Sequence, residues 1–126
     1  MLGKVVLCTV EGDIHEIGKI LVGTMLSSSA GFKVLDMGVD VPVRKVVEKV
    51  REVNADIDTM SALITTTMVP QKDIIEALVD IGIHSKVKVI VGGAPATKEW
   101  GKQIGADGYS EDPIGAIKVA KKLLSQ

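Results

Sequence analysis

Lys4-Val5-Val6-Leu7-Cys8-Thr9-Val10 is an almost unbroken apolar run that stops at Glu11-Gly12. A stretch this short and this rich in valine suits a strand buried on both faces, the habit of parallel sheets covered by helices. A helical pattern follows it. Ile17, Leu21 and Met25 recur at spacing four, flanked by Val22 and Leu26, so Ile17–Ser28 is predicted as a well-buried helix ended by Ala30-Gly31. The alternation then repeats. Phe32–Met37 reads as a second strand. Pro42 stands at a first helical position, with Val43, Val46, Val47 and Val50 at i, i+3, i+4, i+7 and Arg44, Lys45, Glu48, Lys49 and Glu52 on the opposite, solvated face. Thr59–Ile64 is the predicted third strand, Thr65-Thr66-Thr67 a polar loop at its end, and Pro70 the opening of a helix carrying Ile74, Ile75 and Leu78. Val87–Val91 is the fourth strand, ending in Gly92-Gly93. A short helix over Thr97–Ile104 closes at Gly105, Gly108-Tyr109-Ser110 makes a fifth strand, and Pro113–Leu124 is a last helix with Ile117, Ala120 and Leu124 inward.

Strict alternation of strand and helix predicts an α/β fold with a parallel sheet and right-handed crossovers. The size suits a flavodoxin-like doubly wound five-stranded sheet, strand order 2-1-3-4-5, as one domain over residues 1–126. Aromatic residues make up only 2%, so the core must be aliphatic. A net charge of -1 without a basic stripe argues against nucleic-acid binding, and no apolar run approaches the ~20 residues of a membrane span. The first residues read as a strand and not as a secretory signal, so a cytoplasmic location is the expectation. Cys8 is the lone cysteine, which excludes an internal disulfide, and its apolar strand predicts an inert core thiol.

In open sheets of this type ligands bind beyond the carboxyl ends of the strands, near the switch in strand order. Three segments land there: Glu11-Gly12-Asp13-Ile14-His15-Glu16-Ile17-Gly18, then Ser61-Ala62-Leu63 with its threonines, then Gly92-Gly93-Ala94-Pro95. A carboxylate two residues before a histidine can hold one ring nitrogen and leave the other free for a metal, with greater basicity. The same Asp13–His15 pair could act as a general base, or be a solvated loop. His84 follows Gly82 in a predicted surface loop at the other end of the sheet. One histidine does not make a zinc or iron site, so a lone histidine ligand implies a metal already held by a macrocycle, haem or cobalamin.

Taken together, Asp13-x-His15-x-x-Gly18, 42 intervening residues (19–60), Ser61-x-Leu63, 28 more (64–91) and Gly92-Gly93 resemble the fingerprint of cobalamin-binding domains. The likeness runs from about Val5 to Leu124. It looks closest to the corrinoid proteins of methyltransferase systems and the cobalamin domain of methionine synthase, carried by 12–19 and by Met60-Ser61-Ala62-Leu63-Ile64-Thr65-Thr66-Thr67-Met68. The resemblance implies a corrinoid cofactor, methylcobalamin or a relative, bound base-off with His15 as lower axial ligand to cobalt. It implies that Asp13 and Thr67 extend His15 into a proton relay, Thr67 departing from the serine of methionine synthase but keeping a hydroxyl. Proton uptake by the relay would favour release of His15 from cobalt. Gly12, Ile14, Glu16, Ile17 and Gly18 would frame the ligand loop. Ser61 would meet the cofactor's tail, Leu63 and Thr65 would line its slot, and Gly92-Gly93 would make room for it. Tyr109, Ser110 and Asp112 would border its other side.

The implied function is a methyl carrier working between a substrate-specific methyltransferase and an acceptor methyltransferase, not a complete enzyme alone. Such proteins usually carry a helical bundle before this domain. Met1 stands a few residues before the first strand, so a domain without that N-terminal helical cap is expected, with a partner or a second copy over the exposed corrinoid face. The alternatives are the small cobalamin subunit of an adenosylcobalamin-dependent mutase, a cobalamin storage or sensing module, and a response-regulator-like domain on the same fold. The last would need acidic residues where the first strand ends in Thr9-Val10-Glu11 and the third in threonines.

Overall fold

The computed structural model describes residues 3–12, 17–28, 31–62, 65–93, 95–110 and 113–124. Strands β1 (Lys4–Thr9), β2 (Lys33–Asp36), β3 (Ile57–Ser61), β4 (Lys88–Gly92) and β5 (Gly108–Ser110) alternate with helices α1 (Ile17–Ser28), α2 (Val43–Val53), α3 (Val69–Asp80), α4 (Lys98–Ile104) and α5 (Pro113–Leu124). All pairings are parallel and the sheet order is β2-β1-β3-β4-β5, the expected doubly wound arrangement. Its interior strand β1 is buried from Val5 to Thr9, as its apolar run predicts. Among the described residues no helix is long and apolar enough to cross a membrane.

Two aliphatic clusters hold the layers. Val6, Cys8, Val10, Met60, Val89 and Val91 face α2 and α3, whose Val46, Val50, Ile74, Ile75 and Leu78 are buried against them. Val5, Ile57 and Ile90 face α1 and α5, meeting Leu26, Ala120 and Leu123. The valine stripe of α2 packs as its spacing predicts, and Asn54 in the left-handed region ends the helix.

Three expectations need correction. The third strand starts at Ile57, not Thr59, because it carries a fully buried acid, Asp58, where the sequence reads as polar loop; Leu63 and Ile64, which were to end it, lie outside the described residues. The Thr65–Thr67 loop is a 3-10 turn leading into α3. In α1 the predicted inward stripe is misplaced: Leu21 is 50% and Ile20 48% exposed, while Lys19, Gly23 and Leu26 are buried. A helix apolar on nearly every side offers no contrast from which to read its inner face. Lys19 turns inward because its Nζ is hydrogen-bonded to both oxygens of Asp36 at the end of β2. Gly23 lets α1 lie close on β1, since a Cβ there would stand 2.8 Å from Leu7 Cδ2.

Candidate functional site at the carboxyl rim of the sheet

Register builds the site. Thr9 pairs with Ser61, Ser61 with Gly92 and Gly92 with Ser110, so one row of three hydroxyls and a glycine crosses four strands at their carboxyl ends. Side chains alternate along a strand. The row therefore shares a face with Val5, Ile57 and Ile90, the face covered by α1 and α5. Thr9 and Ser110 are buried and Ser61 is half-buried. One pleat deeper, in the row Leu7–Thr59–Ile90, the buried Thr59 Oγ1 has no hydrogen-bond partner among the described residues. Sequence reasoning found Ser61, Gly92 and Ser110. It missed Thr9 and Thr59, which only the register brings into line.

The segments on either side of residues 13–16 are anchored. Gly12 N–H donates to Asp40 Oδ1 at 2.7 Å, and Asp40 holds a positive φ of 50° to present it. Thr9 N–H donates to Gly38 carbonyl (3.0 Å) and Val41 N–H to Thr9 carbonyl (3.2 Å), which ties the segment after β2 to the end of β1. On the far side of the loop, the Lys19–Asp36 pair fixes the first turn of α1. Asp36, Asp40 and Lys19 carry no motif signal as ligands, and the pairings that make them matter span the chain.

Asp13, Ile14, His15, Glu16, Leu63 and Asp112 lie outside the described residues, and of Ile17 and Gly18 only the backbone, opening α1, is described. Thr67 is buried and comes beside the loop entrance: a Cβ on Gly12 would stand 3.6 Å from Thr67 Cγ2. Thr65 is exposed in the same turn. Gly93 has φ 113°, and the place of its absent side chain is taken by the Ala62 carbonyl, 1.8 Å from an ideal Cβ; at Gly92 a Cβ would meet Ser110 carbonyl at 3.0 Å. The two glycines thus let neighbouring rim backbone close up, a role the sequence did not suggest. Tyr109 sits on the opposite pleat from Ser110 and packs against the α2–α3 cluster, so it is not brought to the hydroxyl row.

The remaining candidates fall away from the rim. Burial pushes the Cys8 thiol well above its ordinary value, with the Asp58 carboxyl adding in the same direction, which suits an inert core residue. His84 lies in a 3-10 turn before β4 and is half-buried with Nε2 shielded, not openly exposed as predicted.

Comparison with known proteins adds to this geometry. Residues 3–118 match the family model described as B12 binding domain. The chain is 56% identical over 124 residues to a dimethylamine corrinoid protein of Methanosarcina barkeri, covering 98% of this chain and 58% of that protein. The solved monomethylamine corrinoid protein of Methanosarcina barkeri superposes with a TM-score of 0.89 at 40% identity, covering 95% of this chain and 57% of that one. The methanol:cobalamin methyltransferase complex MtaBC of the same organism superposes with a TM-score of 0.89 at 35% identity, over 98% of this chain and 47% of that one. The chain thus spans a little over half the length of these curated relatives.

Proposed function

The chain belongs to the B12-binding domain family, and on that premise we propose that it carries a corrinoid at the sheet rim as the methyl-carrying component of a methyltransferase system. The observation that supports this most is the nearness of the buried Thr67 side chain to Gly12, the last described residue before Asp13 and His15. The rim residues also fit the group. The row Thr9–Ser61–Gly92–Ser110 puts small side chains on the face covered by α1 and α5, and the Thr59 hydroxyl behind it, without a hydrogen-bond partner among the described residues, has capacity for a ligand's polar atom.

Bound there, the corrinoid supplies a cobalt that accepts a methyl group and hands it on. His15 would offer one imidazole nitrogen to the cobalt. Asp13 would accept a hydrogen bond from the other ring nitrogen, which would fix the tautomer and raise the basicity of the ligating atom. The Thr67 hydroxyl would extend this pair, and a proton held on it would weaken the hold of His15. Ser61, Leu63, Thr65 and Gly92 would border the slot for the nucleotide tail, with Ser110 at its far side. Likeness to methylamine corrinoid proteins and to a methyltransferase complex favours a methylamine-type methyltransferase as donor-side partner, and a methyl carrier over a mutase subunit.

The test is spectroscopic. Given hydroxocobalamin, the chain is expected to bind it with the benzimidazole displaced. The His15→Ala variant is expected to retain some corrinoid, about tenfold or more weakly, and to lose the imidazole-bound spectrum. A visible spectrum that is the same in both proteins rejects the assignment.

A further inference from the structure

Behind the hydroxyl row, on the opposite face of the sheet, stands one fully buried amide that the proposed chemistry does not use. Gln71, in the first turn of α3, is 0% exposed. Its Nε2 donates to two main-chain carbonyls on neighbouring strands, Met60 on β3 at 3.1 Å and Gly92 on β4 at 3.2 Å. Its Oε1 accepts from the indole N–H of Trp100 in α4 at 2.9 Å. Both amide protons are therefore spent on strand carbonyls and the oxygen on the indole. Turning the amide over would set an oxygen against two carbonyls and an NH2 against an N–H, so the network admits one orientation. The bond to Met60 carbonyl is buried and the other two part-buried, so the low-dielectric surroundings strengthen the first most.

The two carbonyls are at the row that borders the slot. Met60 immediately precedes Ser61, and Gly92 is the register partner of both Ser61 and Ser110. Gly92 carbonyl also accepts from Ala62 N–H at 3.2 Å, and Ala62 carbonyl fills the place of a side chain on Gly93. Ser61 and Gly92, paired in the β3–β4 ladder, are therefore braced from behind by one side chain, which is itself aimed by Trp100.

We propose that Gln71 is a positioning residue for the corrinoid's nucleotide tail, fixing the Ser61–Gly92 spacing from the back of the sheet while touching no cofactor atom. This rests on the corrinoid reading above and deepens it. A residue that serves folding alone would affect every corrinoid alike; one that shapes the tail slot affects only corrinoids that have a tail.

The experiment compares hydroxocobalamin with aquocobinamide, which lacks the nucleotide tail, in the whole chain and in Gln71→Met, a side chain of similar length with no amide. Wild type is expected to bind cobalamin more tightly than cobinamide. Gln71→Met is expected to lose about tenfold in cobalamin affinity, with a larger share bound with benzimidazole still on cobalt, and to change less than about twofold for cobinamide. Equal losses for both ligands, or a loss for neither, overturn the proposal and leave the corrinoid reading standing. Wild type with no preference for cobalamin sinks the tail-slot reading itself, and this inference with it. Should Gln71→Met not fold, Trp100→Phe removes only the donor that aims the amide. It is expected to shift the cobalamin-to-cobinamide ratio in the same direction by a smaller factor, and an unchanged ratio there overturns the proposal.

Discussion

At the scale of single residues, Asp58 is the side chain least at ease in this fold. It stands in the row Val6–Asp58–Val89, inside the α2–α3 cluster, with no hydrogen-bond partner on either oxygen among the described residues. Burial pushes its pKa from 3.8 up to about 8. The sign follows from which state holds the proton. Between about pH 4 and 8 the unfolded chain has released it while the native chain keeps it, so stability falls as pH rises through that window and levels off above it. Asp58→Val, which matches its neighbours, is expected to stabilise the chain by about 4 kcal/mol more at pH 7 than at pH 4. Denaturant unfolding at the two pH values checks this, and a gain of equal size at both would mean that Asp58 is ionised or paired in the native state. Residues also mark where sequence reading stops. Ser61, Thr67 and Gly92 were legible because small or hydroxylated residues at strand ends stand out in a linear pattern. Thr9, Asp36, Asp40 and Gln71 were not, because each gains its role from a partner tens of residues away.

At the scale of elements, strands were easier to find than to bound, and helices easier to bound than to orient. β3 was placed two residues late for a physical reason: an acid is a poor strand signal until its burial is seen. α1 was found with its limits correct, yet its inner face could not be read. That face is set by the ion pair of the buried Lys19 with the exposed Asp36 and by a close approach at Gly23, neither of which is a hydrophobic period. Gly23→Val is therefore expected to push α1 away from Leu7 on β1 and cost about 1–3 kcal/mol. It should also weaken corrinoid binding, because α1 opens immediately after the Asp13–His15 loop. Thermal unfolding and a hydroxocobalamin titration report the two effects, and a variant with unchanged stability would show that α1 can settle elsewhere on the sheet.

At the scale of the molecule, topology does most of the placing. A β2-β1-β3-β4-β5 order sets the ends of β1 and β3 side by side at the sheet's switch point, and the segments after these strands carry the proposed ligand residues. Alternation of apolar runs with helical stretches predicted the parallel α/β sheet, and the chain's size pointed to the flavodoxin-like order. Cofactor chemistry came from three short segments at a characteristic spacing, and the match of residues 3–118 to the B12-binding family supports it at whole-chain scale. The account turns on a nitrogen of the protein, not of the cofactor, facing cobalt from below. Electron paramagnetic resonance of the cobalt(II) form tests this directly, using protein made with 15N-histidine and unlabelled cobalamin. The axial-nitrogen splitting is expected to change from the triplet of 14N to the doublet of 15N. A triplet that survives the labelling would place the cofactor's own base on the metal and contradict the account.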